Sequence, residues 1–343
     1  PIKPSTRKIF VTGPTATSLE VLLANYYGFN DRMITLLEGI AGRVPEGMGM
    51  EYHPGAPLLH SRAIKETWAP GMAQSADVTI VCAGLTSAIE GEEGESLLSP
   101  LNGDRESISL PKSQVDYIKE LAAHGAKIVL VVTGGGPIAL GEVEEYVDAI
   151  LFVWYPGMEG GRAVADVLFG DISPAGKLPI TFPKSLEQLP PFDDYNLAGR
   201  TYRYMTEEPL YPFGFGLSYT TFAYHNLQVA LPRLAGFEAA ITVENTGSVA
   251  SDEVVQFYLS ALERPQPAPL SQLIGFQRVH LEPGQSQTVK ITITPEMLML
   301  YDDDGRQVFQ PGKFRLTAGG CSPSTRAIAL GAPPPLSLEF TVA

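Results

Sequence analysis

The chain has 343 residues, 44% hydrophobic and 18% charged, with a formal net charge of −14 and a pI near 4.8. This length and apolar content exclude a disordered chain and predict two domains. The acidic balance argues against nucleic acid or an anionic membrane surface as partner, and no apolar stretch nears the roughly 20 residues that cross a bilayer.

In chain order, Lys8-Ile9-Phe10-Val11 runs into Thr12-Gly13-Pro14, a strand followed by a turn. Val78 to Gly84 repeats this design. So do Lys127 to Val132, ending at Thr133-Gly134-Gly135-Gly136-Pro137, and Ala149 to Trp154, stopped by Tyr155-Pro156-Gly157. Continuous apolar runs of this kind suit strands buried on both faces, hence a parallel sheet covered by helices. Helical patterns are expected between and after them, at about 31–43, 60–75, 111–124 and 158–169. The third has Pro111 at its start and Gly125 after its end. Strand and helix in alternation predict an α/β, doubly wound, mostly parallel sheet over 1–182, with its chemistry in loops after the strand C-termini.

Residues 183–220 are rich in Pro, Gly and Tyr and read as an ordered connection, placed at 183–221. Over 222–343 short alternating strands recur with turn signals, including Asn245-Thr246-Gly247, Pro283-Gly284 and Pro311-Gly312. That pattern predicts an all-β sandwich of the immunoglobulin or fibronectin type III kind.

The most unusual segment is 84–95, Gly-Leu-Thr-Ser-Ala-Ile-Glu-Gly-Glu-Glu-Gly-Glu, directly after a buried strand. It reads either as a solvated acidic loop or as a mobile loop presenting a general acid, since crowded carboxylates raise one another's pKa. Beyond it, Asp104 and Arg105 suggest a structural ion pair or a ligand contact. The Gly134–Gly136 triplet resembles a phosphate cradle but lacks the spacing of nucleotide-binding motifs. Asp302-Asp303-Asp304-Gly305 reads as a β-turn rather than a calcium loop. Tyr202, Tyr204, Tyr211 and Tyr219 could stack on sugars or pack a seam. Cys82 lies in an apolar run and reads as a buried small hydrophobe. The scattered His and Cys residues offer no metal spacing.

A family resemblance adds to this reading. Trp154-Tyr155-Pro156-Gly157, Glu159-Gly160-Gly161, Ala163 to Gly176 (AVADVLFGDISPAG) and Lys177-Leu178-Pro179 resemble the family 3 glycoside hydrolases. Gly199 to Tyr204, Tyr211 to Tyr219 (YPFGFGLSY), Ile9 to Pro14 and Leu23 to Gly28 are similar to further motifs of that family. Gly275 to Val279, with Leu281 to Gly284, resembles its fibronectin type III-like module.

The resemblance implies a retaining, exo-acting β-glucosidase or β-xylosidase acting on terminal β-linked oligosaccharides or aryl glycosides, with no cofactor. Its nucleophile would be an Asp of an N-terminal (β/α)8 barrel, a partner domain that this sequence lacks. Its acid/base would be a Glu of the acidic loop, with Glu90 the first choice, Glu93 the alternative and Glu92 third. Residues are expected to precede Pro1, the chain alone is expected to be inactive, and a periplasmic or secreted location is expected over a cytoplasmic one. Two rival readings are a non-catalytic glycan-binding or scaffolding module and a nucleotide-binding signalling protein.

Overall fold

A computed structural model describes all residues except 26, 29, 60–67, 91–97, 100–104, 264–267 and 303. It divides into two compact units, Pro1–Ile172 and Ser173–Ala343.

The first unit is built on five parallel strands: β1 (Lys8–Thr12), β2 (Gly49–His53), β3 (Val78–Gly84), β4 (Ile128–Thr133) and β5 (Ala149–Trp154). Their order across the sheet is β2-β1-β3-β4-β5. The helices are α1 (Leu36–Arg43), α2 (Ala69–Ser75), α3 (Lys112–Ala123) and α4 (Gly160–Phe169). Ile9 and Val11 join Leu36 and Ile40 of α1 and Val164 and Leu168 of α4 in one apolar cluster. Thr12 turns to the opposite face, where its hydroxyl meets Tyr117 of α3 at 2.6 Å. Helices therefore cover both faces, as the apolar β1, β3 and β4 runs require.

Two local readings are corrected. The strand β2 is missed by apolar periodicity because Gly-Met-Glu-Tyr-His is a half-buried edge strand, paired among the described residues with β1 alone. Helix α1 begins at Leu36 rather than near 31, because Thr35 and Glu38 form a capping box. The Thr35 hydroxyl accepts from the Glu38 N–H at 3.2 Å, and the Glu38 carboxylate accepts from the Thr35 N–H at 2.9 Å. Of the helix expected over 60–75, residues 60–67 lie outside the described residues and Ala69–Ser75 is helical.

The second unit opens with an ordered stretch containing the short helix α5 (Thr201–Tyr204) and a bridge between Phe182 and Tyr211. A β-sandwich follows. One sheet is β6 (Phe222–Val229), β7 (Phe237–Asn245) and β10 (Ser286–Ile293), in the order β10-β7-β6. The other is β8 (Ser251–Ala261), β9 (Gln272–Leu281), β13 (Gly312–Gly319) and β14 (Leu336–Val342), in the order β14-β13-β8-β9. The strands β11 (Met299–Tyr301) and β12 (Gln307–Phe309) form a separate hairpin. Inward residues of both sheets, including Ile241, Val243, Val255, Phe257 and Leu316, make one dry core. In the hairpin turn, the Gly305 N–H donates to the Asp302 carbonyl at 2.9 Å, the β-turn expected there, and the Asp302 carboxylate accepts from the N–H groups of Asp304 and Arg306.

Candidate active site

All five strands of the first unit run the same way, so their C-terminal ends share one edge. There, loops after β3, β4 and β5 converge on a single carboxyl group, that of Glu90. The loop base is held firmly. Gly84, at φ +130°, ends β3 so close to β4 that a Cβ on it would stand 2.0 Å from the Thr133 carbonyl oxygen. The buried Gln114 side chain of α3 accepts from the Gly84 N–H and donates to its carbonyl, at 2.7 and 2.8 Å. Leu85, Thr86 and Ile89 are buried beyond it. The loop thus carries Glu90 on a fixed footing.

The Glu90 carboxyl is only 12% exposed. Its Oε2 accepts from the Gly135 N–H at 2.6 Å and from the Tyr155 hydroxyl. Its Oε1 faces the Arg105 Nε at 3.3 Å. The Glu90 carbonyl accepts from the Asn25 side-chain amide at 3.1 Å. Arg105 also donates through Nη2 to the Pro137 carbonyl at 3.2 Å, and its buried Nη1 has no partner among the described residues. Burial, then the bond to Glu90 and its charge, push the Tyr155 phenol far up, so it stays a protonated donor.

A carboxylate offers about four lone-pair sites. Among the described residues, hydrogen-bond donors fill two, both on Oε2, and the Arg105 guanidinium stands beside Oε1 as an ion-pair partner.

Several sequence readings take definite form here. In the Gly134–Gly136 triplet, the Gly135 N–H donates to the Glu90 carboxyl of the same chain and the Gly134 N–H to the Trp154 carbonyl. Arg105 pairs with Glu90, while Asp104 lies outside the described residues. Glu92 and Glu93 also lie outside them. In the second unit, Tyr202 stacks on Phe213 at 4.4 Å and Tyr211 on Phe215 at 6.0 Å, so these rings are packing elements. Tyr155, Gly135 and Asn25 were not singled out as site residues from sequence. The signal available was position, since each follows a strand or lies in a block such as LANYYG or WYPG. Among the described residues, no three His, Cys, Asp or Glu side chains form a metal-ligand set.

Residues 1–219 match the family described as the glycosyl hydrolase family 3 C-terminal domain. The chain belongs to glycoside hydrolase family 3. Residues 253–322 match a fibronectin type III-like domain. The chain is 42% identical over 251 residues to a xylan 1,4-β-xylosidase of Xylanibacter ruminicola, covering 71% of this chain and 28% of that protein. It is 33% identical over 348 residues to a periplasmic β-glucosidase of Salmonella typhimurium, covering 91% and 44%. A solved exo-β-xylosidase of the family, in complex with a xylobiose aziridine activity-based probe, superposes with a TM-score of 0.85 at 28% identity, covering 100% and 46%. The chain therefore spans less than half the length of these relatives. No described helix is long and apolar enough to cross a membrane.

Proposed function

We propose that this chain supplies the general acid/base of a retaining, exo-acting β-glycosidase that removes terminal β-linked xylose or glucose, with Glu90 as the acid/base. The observation that supports this reading is the Glu90 carboxyl at the carboxyl edge of the sheet, with Oε2 held by Gly135 and Tyr155 and Oε1 facing Arg105. Ligands of doubly wound sheets gather at that edge.

Retaining hydrolysis needs two carboxyls about 5–5.5 Å apart, one attacking the anomeric carbon and one protonating the departing oxygen. The attacking Asp would come from a (β/α)8 barrel domain acting with this chain. Protonated on Oε1, Glu90 would give its proton to the glycosidic oxygen as the bond to the anomeric carbon breaks. The charge left on Oε1 would face the Arg105 guanidinium, which favours departure. In the second step the same carboxylate would take a proton from the water that opens the glycosyl-enzyme. Glu93 is the alternative acid/base. An exported location fits the periplasmic relative.

The test is hydrolysis of aryl β-xyloside and β-glucoside by this chain, alone and with a separately produced barrel domain, beside Glu90→Gln. We expect no turnover alone, turnover with the barrel, and a loss of about 10²-fold or more in the variant. Turnover by the chain alone that vanishes in the variant would mean that both carboxyls lie within these 343 residues. Full activity in Glu90→Gln, with loss in Glu93→Gln, would move the acid/base to Glu93.

A further inference from the structure

The Glu90 carboxyl joins pieces of chain that are far apart in sequence. Tyr155 reaches it from 65 residues away and Gly135 from 45. Arg105 lies beyond the far end of the acidic segment.

The geometry that brings Tyr155 there is costly. Trp154, the last residue of β5, sits at φ +55°, a left-handed conformation that a large non-glycine residue adopts only when its surroundings impose it. The β4–β5 register shifts at the same point: Val132 pairs with Phe152, and Thr133 then pairs with Trp154, skipping Val153. A bulge of this kind re-aims the side chains that follow it. Here it turns Tyr155 off the end of β5 and brings its hydroxyl to Oε2. Space is left for it by a glycine. A Cβ on Gly135 would stand 3.1 Å from the Tyr155 ring and 3.2 Å from Glu90 Oε2.

We infer that Tyr155 is a positioning residue for Glu90, aimed by the left-handed turn at Trp154, and that Arg105 clasps the other carboxyl oxygen. The catalytic part of this inference rests on the reading of Glu90 as acid/base. With the proton carried on Oε1, Oε2 remains an acceptor in both states of Glu90, so the Tyr155 hydroxyl and the Gly135 N–H both keep donating to it. Oε2 is thereby held through the cycle, and Oε1 is left to carry the proton.

Two measurements test this. The first needs no partner. Arg105 is the one trypsin site between residues 91 and 111, and its side chain is 15% exposed and engaged with Glu90 and Pro137. Tryptic cleavage after Arg105 is expected to be slow in the parent chain and about tenfold faster in both Tyr155→Phe and Glu90→Gln. Equal rates in all three would overturn the clasp.

The second compares Tyr155→Phe with the parent, each combined with the barrel domain. We expect kcat/KM on xylobiose, which reports only the first, bond-breaking step, to fall about 10²-fold, and a much smaller loss of kcat/KM on a nitrophenyl xyloside. The nitrophenolate leaves with little help from an acid, so only a misplaced proton donor produces this contrast. An equal loss on both substrates would overturn the positioning role. If the parent with the barrel hydrolyses neither substrate, the proposed function falls, while the trypsin result still decides the clasp.

Discussion

Glu253 of β8, 1% exposed, lies 3.0 Å from the ammonium of Lys177 in the second unit. Lys177 also donates to the Gly216 carbonyl at 2.8 Å, and Glu253 accepts from the Val254 N–H at 2.6 Å. This pair joins the KLP and FGFGLSY blocks of the connecting stretch to a core strand of the sandwich. Removing the cation strands a buried carboxyl, which costs about 3 kcal/mol or more at neutral pH. Lys177→Met is therefore expected to lower the unfolding midpoint of the second unit strongly, and Glu253→Gln much less. Calorimetry on both variants checks the order.

The same carboxyl predicts a pH dependence. Burial raises the Glu253 pKa, and Lys177 and the Val254 N–H only partly offset it. The folded unit therefore binds a proton at pH values where the unfolded chain has released it. That contribution to stability is complete below the unfolded pKa, near 4.5, and is lost as pH rises through the folded value. The unfolding midpoint of the parent, relative to Glu253→Gln, should fall as pH rises from about 4 toward neutrality. A constant difference across that range would contradict it.

How much of this was legible in the sequence depended on whether the signal was local. The strands β1, β3, β4 and β5 announced themselves as apolar runs because the sheet is covered on both faces. The edge strand β2 did not, because half-buried Glu51 and Tyr52 break the run. The start of α1 was in principle readable from the Thr35-x-x-Glu38 spacing. Glu90 could be singled out because acidic residues after a buried strand are unusual. Its partners could not, since the approach of Tyr155 depends on a one-residue shift in β5 pairing that no periodicity carries. The Gly134–Gly136 triplet marked a loop after a strand, and only the fold identified the Gly135 N–H and the Glu90 carboxyl as partners.

The Glu159-Gly160-Gly161 block has a packing explanation that predicts a mutational effect. Where α1 meets α4, a Cβ on Gly161 would stand 2.0 Å from the Thr35 carbonyl oxygen, and one on Gly39 would stand 2.0 Å from the Gly161 backbone. Neither obstacle is a flexible side chain. Gly161→Ala should push the helices apart and cost about 1–3 kcal/mol. Thermal unfolding followed by circular dichroism should show a lowered midpoint. An unchanged midpoint would mean that the crossing is looser than these distances require.

The two cysteines should be chemically silent in the folded protein. Cys82 is fully buried in β3, and burial pushes its thiol up to about 12. Cys321, 5% exposed, is pushed up to about 11, again mainly by burial, with the Glu253 charge raising it and Lys177 lowering it. The thiolate is the reactive species, so neither group offers one at pH 8, and access is closed as well. A thiol-reactive chromogenic disulfide should therefore titrate no thiol in the native chain and two after denaturation. Lys177→Met removes the nearby cation and loosens the Glu253 anchor, so Cys321 should become the first to react in that variant, on the timescale of local opening. Reaction of Cys82 before Cys321 would instead place the weakest point in the parallel sheet, against the full burial of Ile80, Cys82 and Val131 at its centre.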